Sequence, residues 1–99
     1  MNETKELSLI DGEFAIEDAQ EILMTIFSSK ISFHQLKNFG SLERYGKEDA
    51  IAKKRIPHLH KEVKKLKTIL SKAKAKKQKL EIHAVIKITF HNNEKLNGL

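Results

Sequence analysis

Between Ile56 and Phe90 the apolar residues change their period once, and that change limits most of what this chain can fold into. From Ile56 they recur at Leu59, Val63, Leu66, Leu70 and Ala73, in steps of three and four that line one side of an α-helix. From Leu80 the period becomes two. Leu80, Ile82, Ala84, Ile86, Ile88 and Phe90 alternate with Glu81, His83, Val85, Lys87, Thr89 and His91, which specifies a strand with one buried and one mostly wet face. The sequence thus predicts a long helix over residues 48–78 running almost directly into a strand over residues 80–90. Residues 57–78 would span roughly 33 Å as helix and residues 80–90 roughly 36 Å as strand, so the two can cover each other end to end.

Two details qualify this helix. Ile69, beside Leu70, widens the stripe beyond a strict seam. Lys67 and Lys74 on one flank, with Arg55 and Lys76 on the other, would oppose like charges in a parallel self-pair, which disfavours a parallel coiled-coil dimer. The second detail is Pro57. A straight helix over residues 48–78 would be roughly 46 Å long, against a diameter of roughly 34 Å for a compact domain of this length. Proline lacks the N–H donor and crowds the carbonyl of Lys53, so a kink near Pro57, at Arg55 or Ile56, is the expected way to shorten the rod. The alternative is a straight helix covered by a second copy.

The first half of the chain is less regular. Leu7 and Leu9 alternate with Glu6 and Ser8 ahead of the turn-forming pair Asp11-Gly12, which predicts a short strand over residues 5–10. Ile16, Ala19, Ile22, Leu23, Ile26 and Phe27 share a helical face, with Glu17, Asp18 and Glu21 near the start, where the helix dipole favours negative charge; this predicts a helix over residues 16–28. Ser28-Ser29-Lys30 reads as its end. Phe33, Leu36 and Phe39 then indicate a short helix over residues 32–38, although Ile31 and Phe33 also fit a strand. Gly40-Ser41 and Gly46 bracket a turn over residues 41–44.

The expected architecture is α+β: a short N-terminal strand, two or three helices including one long basic helix kinked near Pro57, and a long C-terminal strand. The helices would pack on one face of a small sheet completed by dimerisation. The chain reads as a single domain over residues 1–99, with an ordered core over 5–91 and loose ends at 1–4 and 92–99. An eleven-residue strand facing a six-residue partner would leave backbone groups unpaired. A homodimer is therefore expected, with Leu80, Ile82, Ala84, Ile86, Ile88 and Phe90 as its interface.

Charge is unevenly placed. Residues 1–46 carry four basic and eight acidic side chains, and residues 47–79 carry thirteen basic and three acidic ones, within a net charge of +6. Lys53, Lys54, Arg55, Lys61, Lys64, Lys65, Lys72, Lys76 and Lys79 could follow a phosphate backbone. Against nucleic-acid binding stand the two arginines of the whole chain and the lack of aromatic residues among the lysines to stack on bases. A solvated face, partly neutralised by Glu17, Asp18 and Glu21, is the simpler reading.

The remaining chemistry is sparse. There is no cysteine, which removes disulfides and thiolate metal sites. The first residues lack the pattern of a signal peptide, and no apolar run approaches a membrane span, so the chain reads as cytoplasmic. His58 and His60 lie on different sides of a helix, and His83 and His91 are far apart along a strand, so no metal site is expected. Ser28, Ser29 and Lys30, or His34 with Tyr45, make no convincing catalytic pair. Ile31, Phe33, Leu36, Phe39 and Tyr45 could line a small-ligand groove, but a second layer of core is the ordinary role for such residues. The sequence therefore points to a non-enzymatic dimerising module that needs no cofactor and acts through its sheet edge and apolar helix stripe. A nucleic-acid-associated factor is the alternative.

Overall fold

The structure, a computed structural model, describes residues 2–92. In chain order it contains strand β1 (Thr4–Phe14), helix α1 (Ile16–Tyr45), helix α2 (Ala50–Ala75) and strand β2 (Leu80–Thr89). The fold class is α+β. Two compact units divide the chain: a sheet unit from the residues up to Glu13 and those from Glu81 onward, and a helical unit, Phe14–Leu80.

The helical unit is an αα-hairpin. Its stripe on α2 is the one the spacing predicts: Leu59, Leu66, Leu70 and Ala73 are buried, joined by Ala52, while Ile56 and Val63 are half-buried. What covers the stripe is α1 of the same chain. Two of the residues in this seam, Ala19 and Ala52, are wholly inaccessible. Alanine at such points lets two helix backbones approach closely. Ile69 does not join the stripe and is 53% exposed.

Several expectations for this unit need correction. The helices over 16–28 and 32–38 and the turn over 41–44 are one helix of 30 residues. Serine and lysine at 28–30 are tolerable inside a helix, and Gly40 is passed without a break. Glycine there costs about 1 kcal/mol against alanine, and a Cβ added at Gly40 would meet nothing within 4 Å. The true stop is Gly46, in the left-handed region at φ 69°, whose N–H donates to the Leu42 carbonyl. Phe33, Leu36, Phe39 and Tyr45 are therefore exposed along one helix, not a second core layer.

The second helix starts on a cap. Asp49 Oδ2 accepts from the Ala52 N–H at 2.9 Å, and the Asp49 N–H donates to Asn38 Oδ1 at 2.9 Å, tying the link to α1. Pro57 lies inside α2, which runs through it unbroken. The length that seemed to demand shortening is instead matched by α1 beside it, at roughly 45 Å against 39 Å. The helix ends at Ala75, where the Gln78 N–H reaches the Ala73 carbonyl and Lys77 takes φ 53°. This is a Schellman termination with lysine in the place usually held by glycine.

In the sheet unit β1 and β2 pair antiparallel. The Phe90 N–H donates to the Glu3 carbonyl (2.9 Å), Thr4 Oγ1 meets Thr89 Oγ1 (3.0 Å), and Lys87 approaches Glu6 (3.8 Å). Continued strictly, this register would set Asp11 opposite Ile82 and on the other face from His83. Yet Asp11 Oδ1 lies 2.6 Å from His83 Nδ1. One extra residue in β1 between Glu6 and Asp11 reconciles the two pairings, the mark of a β-bulge. The sequence slips at the same place: after Leu7 and Leu9 the next apolar residue is Ile10, which is buried where they are exposed.

β1 therefore continues through Asp11-Gly12 instead of turning there, and at 11 residues it matches the 10 of β2. The unequal strand lengths that argued for a dimer do not occur. Asn2 also bonds to His91, by Nδ2 to Nδ1 at 3.1 Å. Of the ends expected to be loose, Met1 and residues 93–99 lie outside the described residues.

Candidate functional site

The bulge and register sort the sheet into two surfaces. Leu7, Ile86, Ile88 and Phe90 share one face, and these four and Leu9 are exposed. Of the residues expected at an interface, Leu80, Ile82 and Ala84 are half-buried, so Ile86, Ile88 and Phe90 are the ones left uncovered.

The opposite face carries Thr4, Glu6 and Asp11 against Thr89, Lys87 and His83. His83 is held from both sides: Nδ1 lies 2.6 Å from Asp11 Oδ1 and Nε2 lies 2.6 Å from Glu81 Oε2. Only the doubly protonated ring can donate to both carboxylates. The hydrogen bond to Glu81, then that to Asp11, raises the His83 pKa above its ordinary 6.5. In the sequence the signal of this clamp is Glu81 and His83, two apart on one strand face.

The sign of the pH dependence follows. A pKa raised on folding gives stability that is fully present below the unfolded value and is lost as pH rises through the folded one. Strand pairing should therefore weaken as pH climbs from about 6 through the raised His83 pKa. Because the three side chains are exposed, the effect is small. NMR titration of the His83 ring should give a midpoint above 6.5; a midpoint at or below that value would remove the clamp.

Lys53, Lys54, Lys61, Lys64, Lys65 and Lys72 are exposed on the side of α2 away from its buried stripe, and Arg55 lies toward its flank. Lys76 caps the helix and Lys79 lies beyond it, so neither belongs to that face. Glu62 pairs with Lys65 at 3.1 Å, which lowers the Glu62 pKa.

His34 is 6% exposed, packs edge-on against Phe33 with ring centres 5.3 Å apart, and leaves Nε2 without a hydrogen-bond partner among the described residues. Tyr45, three turns away on the same helix, is exposed, so the two are not brought together. His58 and His60 border one shallow recess with Pro57, Lys61 and Lys64. Among the described residues no three histidine or carboxylate side chains gather as metal ligands. Nor is any helix among them long and apolar enough to cross a membrane. Comparison with protein-family models gives no match, and comparisons with curated proteins and with solved structures give none either.

Proposed function

We propose that this chain is a small non-enzymatic protein-interaction module that works as a homodimer, with β2 carrying the contact. The supporting observation is the uncovered apolar face of Leu7, Ile86, Ile88 and Phe90. A two-stranded sheet is marginal in water by itself. Each of its strands also has one edge with unpaired N–H and C=O groups. Antiparallel pairing of β2 with β2 of a second copy about a two-fold axis would extend the sheet to four strands, pair the open edge of β2 and bring the apolar side chains of the two copies side by side. Because Ile88 is exposed, Ile88→Lys should leave the subunit folded. It should raise the dimer dissociation constant by about tenfold or more in sedimentation equilibrium. Unchanged association with unchanged circular dichroism would remove β2 from the interface.

A second reading rests on the exposed arc of Lys53, Lys54, Lys61, Lys64, Lys65 and Lys72: association with the phosphate backbone of RNA or DNA. Fluorescence anisotropy with a generic oligonucleotide should then show binding that falls steeply with salt and disappears in the Lys61→Gln, Lys64→Gln, Lys65→Gln variant. Absence of binding at physiological salt would leave these lysines as a solvated face.

A further inference from the structure

One flank of α1 carries a stripe that reads the same in both directions. Asp18, Ile22, Ile26, Ser29, Phe33, Leu36, Gly40 and Arg44 follow one another at intervals of four, four, three, four, three, four and four. These intervals keep them within about 80° of one another on a flank of the helix that borders buried Ala19 and lies away from His34; Ile22 and Gly40 are half-buried there and the other six are exposed. Turned end for end about the point midway between Ser29 and Phe33, the stripe lies on its own copy. Asp18 then meets Arg44, Ile22 meets Gly40, Ile26 meets Leu36, and Ser29 meets Phe33. Acid faces base, and large faces small at two of the four pairs.

From this we infer that α1 pairs antiparallel with α1 of a second copy about a two-fold axis. The inference deepens the dimer reading above by naming a helical contact.

Three further observations select a second copy of this chain as the occupant. The charge along α1 is split: its first half holds Glu17, Asp18 and Glu21 against Lys30 alone, at its very end, while in the second half Lys37 and Arg44 outnumber Glu43. Antiparallel apposition sets each half against its opposite, whereas parallel apposition sets like against like. Next, the surface is shaped for the exchange. Leu36, 72% exposed, would enter a shallow recess bordered by Ile26, Ser29 and Phe33, and Ile22 would enter another bordered by Leu36, Gly40 and Arg44. Finally, nothing within the chain requires glycine at position 40, since an added Cβ meets open space. A glycine inside a helix weakens it relative to alanine, and close approach of Ile22 from a second copy supplies the reason to keep one.

Gly40→Leu is the decisive variant. In the isolated subunit a Cβ at position 40 meets nothing within 4 Å and leucine is the better helix former, so thermal stability at high dilution should hold or rise. In the pair it takes the place of Ile22 of the other copy, and the dimer dissociation constant should rise by about tenfold or more. Charge exchange gives an independent arm. Asp18→Arg and Arg44→Asp should each weaken association, and the two together in one chain should restore it.

Orientation can be read directly, because the chain has no cysteine of its own. Labels on Gln20→Cys, on the side of α1 away from the stripe, should be offset by roughly 33 Å along the antiparallel pair, an offset that parallel pairing would remove. If Gly40→Leu and both charge variants dimerise as the unaltered chain does, the α1 contact is wrong. If Ile88→Lys abolishes that same dimer, the broader reading survives without it. A monomeric unaltered chain would end both.

Discussion

Replacing Leu59 with alanine should lower the stability of the protein by about 2–3 kcal/mol, toward the lower part of the range for a buried leucine. Leu59 is 5% exposed, in the seam that α2 forms with α1. Its removal forfeits both the transfer of its methyl groups from water and the contacts around the space left behind. The value falls at the low end because a seam one layer deep can close over a gap more readily than an enclosed core. The control is Ile69→Ala, ten residues on and half exposed, which should change stability by no more than about 0.5 kcal/mol. Urea unfolding followed at the helical signal, at one fixed protein concentration, measures both. Equal losses at the two positions would mean that α2 faces α1 with a different side.

Pro57→Ala should act in the opposite direction, raising stability by about 2 kcal/mol and up to about 3. The proline stands in the interior of α2, where it withholds a donor from the Lys53 carbonyl and its ring crowds that group. Its side chain is exposed, so little burial is lost with it. Alanine restores the hydrogen bond and adds the best helix former. The same unfolding experiment decides the point. A loss of stability would show that a bend at Pro57 is something the packing of the hairpin depends on.

The parts of the fold that were legible in the sequence are those where apolar and charged residues contrast sharply. On α2 the stripe of Leu59, Leu66 and Leu70 stands out because lysines fill the rest of the circumference, and β2 alternates without a fault. α1 offered no such contrast. Its aromatic and aliphatic residues point in several directions, since Phe33, Leu36 and Phe39 serve a face that its own chain leaves open while Ala19 and His34 serve the seam. Ser28-Ser29-Lys30 then passed for an end, although the helix tolerates all three.

β1 was shortened for a different reason. The bulge shifts its alternation by one residue, so Ile10 falls out of step with Leu7 and Leu9, and Asp11-Gly12 imitates a turn. With a six-residue strand in place of an eleven-residue one, a dimer followed from a deficit of backbone partners. The proposal now stands on uncovered side chains instead. The carboxylate clamp on His83 is hidden in the sequence because its partner Asp11 lies 72 residues away, in the part of β1 that imitates a turn. Gly40 looked like a terminus; its place in the interior of a helix with open space around it is visible only in the structure.

Sedimentation equilibrium of the untagged protein at micromolar concentrations puts the question of self-association most directly. The uncovered sheet face and the reversible stripe of α1 require a mass near twice the chain's 11.4 kDa. A higher multiple would place the two contacts on separate axes. A single species at the mass of one chain, unchanged as concentration rises, would contradict both.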